Sequence, residues 1–350
     1  MNSQTVVKRE TKNRIRVDFE RTSFWRRMRM KYLSTNFLVK VVFVIFRLVL
    51  LIGISYVILF PFFSKISSSF MSSADFNDQA VRLIPRYPTL DTYKAVLEFR
   101  NSDNLGYFNA MLNTFLVSVL CGVSQTLVCS FIGYGFAKFK FKGNGLLFVL
   151  VILTMVIPHQ SLKLSMYMHF RYFDFFGLFG LLGGDVINGF QVLSFSSINM
   201  INTYLPLTLL SLTGLAFKNG LYIFMMRQFF RGVPDELEES SYLDGAGNIY
   251  TFFKIILPLS IPMMVTIFLF SFCWQWTDQF YTNTFFTNGG PIMMPGLISQ
   301  IENGIETTGA LHSAAIINTT AILIILPLII LYLFGQKFLV QGIERSGIVG

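Results

Sequence analysis

The sequence predicts an all-α, polytopic membrane protein with six transmembrane helices and one short helix-turn-helix at the cytoplasmic face. Of its 350 residues, 53% are hydrophobic and only 13% charged, against about a quarter charged in soluble domains, and the mean hydropathy is positive. Six apolar runs are long enough to cross a hydrocarbon layer of about 30 Å at about 1.5 Å per residue. The net charge of +9 is concentrated ahead of the first run, with ten of the Lys and Arg residues in the first 36 positions. A lipid-facing cytoplasmic tail fits that clustering better than a nucleic-acid surface does.

Residues 1–36 form the basic tail and 37–350 the transmembrane domain. The first span, Val41 to Phe62, is followed by Phe-Pro-Phe-Phe-Ser-Lys without a small-x-small cleavage site, so it reads as a retained span rather than a signal peptide. From Ser64 to Leu112 basic and acidic residues balance, and Thr89 is expected to cap a short helix with Leu90, Tyr93 and Leu97 on one side. Spans two and three, Thr114 to Ala137 and Gly145 to Leu162, are joined by a basic turn with interfacial aromatics, Lys138 to Lys142. Phe175 to Asn202 places Gly177, Gly180, Gly183, Gly184 and Gly189 among Phe and Leu and reads as an irregular or re-entrant insertion.

The fourth span, Thr203 to Phe217, is interrupted by Lys218-Asn219-Gly220 before the apolar run resumes at Leu221, and a helix break is expected there. Leu259 to Tyr281 and Ala314 to Phe334 complete the set. Short basic loops stay on the cytoplasmic side. With the N-terminus inside, Lys138 to Lys142, the segment around Glu236 and the tail with Lys337 and Arg345 are also inside; the outer loop Thr282 to His312 has no Lys or Arg. Both termini are thus expected in the cytoplasm.

Enzyme chemistry has little to build on. There is no phosphate-cradling loop and no nucleophile elbow. His159, His169 and His312 are scattered without metal-ligand spacing, and Cys121, Cys129 and Cys273 lie inside apolar runs as small core residues. No cofactor or metal is expected. Arg47 and Asp278 lie near the ends of their spans, which leaves an interior almost free of charge; uphill transport would then draw its energy from a partner.

The stretch Glu236 to Pro258 is the acid-rich exception. Pro234 stands at a plausible first helical position and Asp235, Glu236, Glu238 and Glu239 follow where the helix dipole favours acids. The helix runs through Ser240, Ser241 and Leu243 to Gly245-Ala246-Gly247, which turns the chain. Asn248 is expected to cap a second helix carrying Tyr250, Phe252, Phe253 and Ile256 into Leu257-Pro258. Read alone, Glu239 is a helix-start acid and Gly245 an ordinary C-cap.

Spacing makes the stretch specific. Glu239, Gly245, Ile255, Leu257 and Pro258 match E-A-A-x-x-x-G, nine residues, then I-x-L-P, with Ser240 and Ser241 in place of the two alanines. This pattern resembles the cytoplasmic signature of MalG-type permeases of binding-protein-dependent carbohydrate ABC importers. Arg227-Gln228-Phe229-Phe230, Trp276-Thr277-Asp278 (where that family usually has Trp-Asn-Asp) and Gly335-Gln336-Lys337-Phe338 extend the similarity over nearly the whole chain. The resemblance implies a permease subunit in a bacterial cell membrane, forming with a second permease a heterodimer that conducts a sugar or oligosaccharide. It further implies two cytoplasmic ATPase subunits and an extracytoplasmic solute-binding protein, with the loop at about 233–258 seated in the ATPase. Trp276, Asp278 and Gln279, a polar cluster in the outer half of the fifth span, are candidates for the solute path; the competing reading of Trp274 and Trp276 is interfacial belt or packing. A receptor or channel that works without an ATPase is the other functional class.

Overall fold

The computed structural model describes residues 35–78, 81, 83–101, 103, 105–175, 177–178, 197–216, 218–287, 290–307 and 309–347. Every regular element among them is helical, and the strand-like pairings are two isolated bridges, Arg100 with Gly106 and Phe173 with Ile198. The chain divides into two units, residues 1–64 and 65–350. The first contributes most of α1 (Thr35–Ser68), a 34-residue helix that is long enough to cross a membrane over Val39–Ser68.

The second unit is organised around α4 (Tyr107–Lys138), which follows α2 (Ser73–Asn77) and α3 (Asp91–Glu98). Against α4 pack α7 (Leu205–Leu212), α8 (Asn219–Arg231) and α11 (Ile261–Trp276); α11 also packs on α14 (Ala310–Gly347). In lipid the hydrophobic effect does not drive helices together, so close approach through small residues matters. At Gly133 an added Cβ would stand 2.5 Å from the Met226 Cβ, and at Gly122 it would stand 3.1 Å from the Phe268 ring. Those two glycines let α8 and α11 lie against α4.

Among the described residues three helices, α1, α4 and α14, are long and apolar enough to cross alone, and the count rises to five if each of two bent pairs is one span. In the first pair, α5 (Asn144–Val156) meets His159–Arg171, a 3-10 turn continuing into α6 (Lys163–Arg171), at 90°. The expected third span to Leu162 therefore stops early, because Pro158 offers no N–H and disfavours helix at Ile157. In the second, Asn248–Leu259 meets α11 at 73°.

The expected fourth span is the most altered. α7 has only 8 residues, then the chain breaks over Thr213 to Lys218 before α8 begins. The break opens earlier than Lys218 because the Leu215 and Ala216 N–H groups both donate to the Leu210 carbonyl, at 3.0 and 2.9 Å, while Gly214 (φ 75°) and Lys218 (φ 71°) are left-handed. Lys218, half-buried, lies at this break.

Two smaller expectations need correction. Thr89 does not cap α3: the N-cap position is Leu90, without a side-chain hydrogen bond, and the Thr89 N–H is held by the Phe70 carbonyl at 2.8 Å. The base of the glycine-rich insertion is closed by paired Phe173 and Ile198 backbone bonds of 3.0 and 2.9 Å; residues 179–196 lie outside the described residues. The loop before α14 holds α12 (Phe280–Phe285) and α13 (Met294–Gly304).

Candidate functional site

The acid-rich stretch folds as a knob of two short helical legs. The first, α9 (Glu236–Leu243), has Asp235 at its N-cap position, so Pro234 precedes the helix instead of opening it. At its far end Asp244, Gly245 and Ala246 donate backbone N–H groups to Ser240, Tyr242 and Ser241 at 3.1, 3.0 and 3.0 Å, which satisfies carbonyls a helix end leaves bare. Gly245 closes this cap at φ 82°, with open space where a Cβ would be; the constraint there is backbone conformation rather than packing.

The second leg starts with α10 (Asn248–Thr251) and continues through a π-helical turn, Phe252–Ile256, to Leu257–Leu259. Its N-cap is Gly247, with no side-chain cap, so Asn248 is the first helical residue and not the cap. The legs are tied together by Ser241 and Thr251, whose buried hydroxyls lie 2.8 Å apart. The second leg is pinned by rings: Phe252 stands 4.7 Å from Tyr134 and 5.1 Å from Phe131, centroid to centroid. Ile256 is fully buried, Ile255 and Leu257 are half-buried, and Pro258 is exposed just before the bend into α11.

Lys138, in the last turn of α4, holds the root of the knob. Its side chain is 7% exposed and lies 2.5 Å from Asp235 Oδ1 and 3.9 Å from Glu238 Oε1, and its ammonium donates to the Val233 carbonyl at 2.7 Å. The hydrogen bond and charge of Lys138 hold the Asp235 carboxyl below the ordinary carboxylate range. Burial pushes the Glu238 carboxyl up, with the Lys138 charge partly offsetting it, and Glu238 Oε1 has no hydrogen-bond partner among the described residues. In the sequence Lys138 is only a topology charge; its partners lie about a hundred residues away, and nothing local signals the contact.

The tip is different in kind. Glu239 and Ser240 are exposed, and Leu243 (89%), Ile249 (77%) and Tyr250 stand out with their apolar surface uncovered. The protrusion thus has an anchored root, an apolar tip and an acidic flank.

At the other end of α11 the predicted cluster separates. Trp276 is 1% exposed, donates its indole N–H to the Ile324 carbonyl at 3.0 Å and stacks on Phe272 with centroids 5.5 Å apart. Asp278 accepts the Tyr281 and Thr282 N–H groups at 2.8 and 3.2 Å, and so caps α12. It also lines a polar cleft with Gln125, Tyr222, Ser271, Trp274 and Gln275, whereas Gln279 is exposed and outside the lining. The cleft floor is a chain of hydrogen bonds: Ser271 donates to Gln125 Oε1 at 2.7 Å, and Gln125 Nε2 donates to Ser211 at 3.2 Å. A glutamine in the middle of an apolar run was the available signal for this cleft.

Comparison with known proteins decides what scaffold this is. Residues 129–345 match the model of the binding-protein-dependent transport system inner membrane component family. The chain belongs to this family. As an inner membrane component it is a multi-pass permease, not itself the ATPase, of a transporter that works with an ATPase and a binding protein. The matched span takes in the knob, its Lys138 anchor and most of the cleft.

Among related permeases, the galactooligosaccharides transport system permease protein GanQ of Bacillus subtilis is 25% identical over 307 residues, covering 87% of this chain and 95% of its own. The arabinooligosaccharides permease AraQ of Halalkalibacterium halodurans is 24% identical over 305 residues, 85% and 93% of the two chains. The alpha-glucoside permease AglG of Rhizobium meliloti is 28% identical over 267 residues, 76% and 61%. In fold, the chain is similar to a crystal structure of a bacterial ABC transporter involved in the import of the acidic polysaccharide alginate, with a TM-score of 0.63 and 20% identity over 85% of this chain and 96% of that one.

Proposed function

We propose that this permease conducts a sugar or oligosaccharide across the membrane together with a second permease subunit, driven by two cytoplasmic ATPase subunits and supplied by an extracytoplasmic solute-binding protein. Six spans are assigned: α1, α4, the bent pair starting with α5, α7 with α8 as one broken span, α11, and α14. Both termini and the knob face the cytoplasm, as the basic short loops favour. The sugar assignment is supported by relatives whose names specify galactooligosaccharides, arabinooligosaccharides and alpha-glucosides.

The knob carries the mechanical part of the reading. Its root is anchored on α4 through Lys138, its second leg runs into α11 across a 73° bend, and its tip is uncovered. Closure of an ATPase pair around the tip would pull on both helices at once, and a soft joint would absorb that movement. Glu239, on the exposed flank, is proposed to pair with a basic residue of the ATPase. Single-cysteine crosslinking from position 243 to the ATPase tests the arrangement: a crosslink whose yield changes with ATP is expected, and a complex that imports sugar without any such contact would contradict it.

A further inference from the structure

The polar cleft that Asp278 lines is small. Its wall, with Gln125 from α4, Tyr222 from α8, Ser271 from α11 and Asp278 just beyond α11, leaves about 10 Å³ for the centre of a water molecule. A space of that size takes one water, provided that two to four polar groups meet it. It is far below the volume of about 300 Å³ at which ligand pockets begin, so a sugar ring does not enter.

The polar groups are in the wall. Tyr222 is 1% exposed, and its hydroxyl has no partner among the described residues, although buried hydroxyls are rarely left unpaired. Gln125, also buried, has bonding capacity to spare. Its Oε1 accepts from Ser271 at 2.7 Å and its Nε2 donates one N–H to Ser211 at 3.2 Å, which leaves the second N–H of the amide. Asp278 receives both of its α12 bonds on Oδ2, and a carboxyl group has further acceptor positions.

Helix direction brings these groups to one level. Cys129 meets the Asn219 carbonyl at 3.7 Å, and four residues later on α4 Gly133 lies against the side chain of Met226, so α4 and α8 run the same way. That puts Tyr222 near the level of Cys129. Helical side chains lean towards the N-terminus of their helix, which carries the Tyr222 ring back towards Gln125, about one turn earlier on α4. In a bundle surrounded by lipid such buried polar groups have to be met from within the protein.

We infer that the cleft is an internal hydration site: one bound water accepts from the Tyr222 hydroxyl and from the second Gln125 N–H and donates to the Asp278 carboxyl. A water-mediated bond is nearly as favourable as a direct one. Hydrogen bonds through Gln125 already join α4 to α7 and α11; the water extends that network to α8. The site does not depend on which solute the transporter carries.

The test is a map of the complete transporter in lipid nanodiscs, free of solute and at a resolution that shows ordered water, for wild type and Tyr222→Phe. A peak within about 2.5 to 3.2 Å of both Tyr222 Oη and Gln125 Nε2 is expected in the wild type and is expected to be lost or displaced in the variant. No peak, or a Tyr222 hydroxyl bonded directly to a protein group, overturns the site. Thermal unfolding of the same solute-free samples is the second readout. A hydroxyl held by water makes Tyr222→Phe the less stable, with a midpoint lower by about 2 to 4 °C, the usual shift for one lost hydrogen bond. A midpoint equal to wild type or higher means that the hydroxyl bonds nothing in the resting protein, which overturns the water; if sugar uptake is weakened as well, the hydroxyl serves a passing solute instead. Should the variant fail to assemble, the wild-type map alone decides.

Discussion

Gly245 and Lys138 illustrate two ways in which one residue controls the knob. At Gly245 the left-handed backbone is the requirement, so any β-branched residue costs about 1 to 2 kcal/mol although no atom stands in its way. At Lys138 the requirement is a cation: without it the Val233 carbonyl loses its donor and Glu238 its nearest positive charge. Lys138→Met is expected to destabilise the knob by about 1 to 3 kcal/mol, the cost of leaving buried polar groups unsatisfied. The readout is a lower unfolding midpoint of the detergent-solubilised complex and reduced ATPase retention.

Glu238 behaves in the opposite sense. Its carboxyl is raised by burial, so its contribution to stability is fully present below the ordinary carboxylate range and is lost as pH rises through the raised folded value. Glu238→Gln, neutral at every pH, should therefore match or exceed wild-type thermal stability at pH 8, with the advantage disappearing below the carboxylate range. A thermal-shift series across pH checks this, and a variant less stable at pH 8 than at pH 4 relative to wild type would contradict it. Of these residues only Gly245 was legible in the sequence: a glycine after a helical run declares its turn, while a lysine at the end of a distant span does not declare its partners.

At the scale of elements, the knob's two legs were legible from acids, glycines and apolar spacing, but what ties them was not. Where the resembling signature has alanine, Ser241 shares a buried hydrogen bond with Thr251. Thr251 also donates to the Gly247 carbonyl at 3.1 Å, so it keeps a partner when Ser241 is removed. Ser241→Ala is accordingly expected to cost at most about 1 kcal/mol and to leave uptake within about twofold; a collapse of uptake at normal expression would show that the tie does more than hold the legs.

The helix breaks tell a similar story. Lys218-Asn219-Gly220 signalled that the fourth span is interrupted, yet the helix already ends at Leu212, and the Leu215 and Ala216 N–H groups converge on the Leu210 carbonyl. Pro158 falls inside the expected third span, and the 90° bend there follows from a missing N–H that hydropathy does not weigh. Trp276 and Asp278 were visible as a pair near a span end. Burial of one and helix-capping by the other depend on α14 and α12, which no local pattern specifies.

For the whole molecule, composition and the signature were enough to place the chain among membrane permeases, and the family match agrees. Hydropathy scores apolar content and not straightness: among the described residues three helices are long and apolar enough to cross alone, and two bent pairs bring the count to five. The proposed orientation can be checked by cysteine labelling with an impermeant reagent on intact cells. Positions 93 and 303 should react from outside and positions 140 and 239 only after permeabilisation; labelling of position 140 from outside would overturn the six-span arrangement.

The central claim is that the knob passes ATPase motion to α4 and α11 through a turn that depends on the backbone of Gly245. The most direct measurement is ATP-driven sugar uptake by vesicles carrying the complete transporter, wild type against Gly245→Val, at matched expression and with membrane-bound ATPase measured on the same vesicles. Uptake lost in the variant, by more than in Glu239→Ala, whose single exposed charge is worth about 1 kcal/mol or less, is the predicted result. Wild-type uptake by Gly245→Val would show that force reaches the spans by another route.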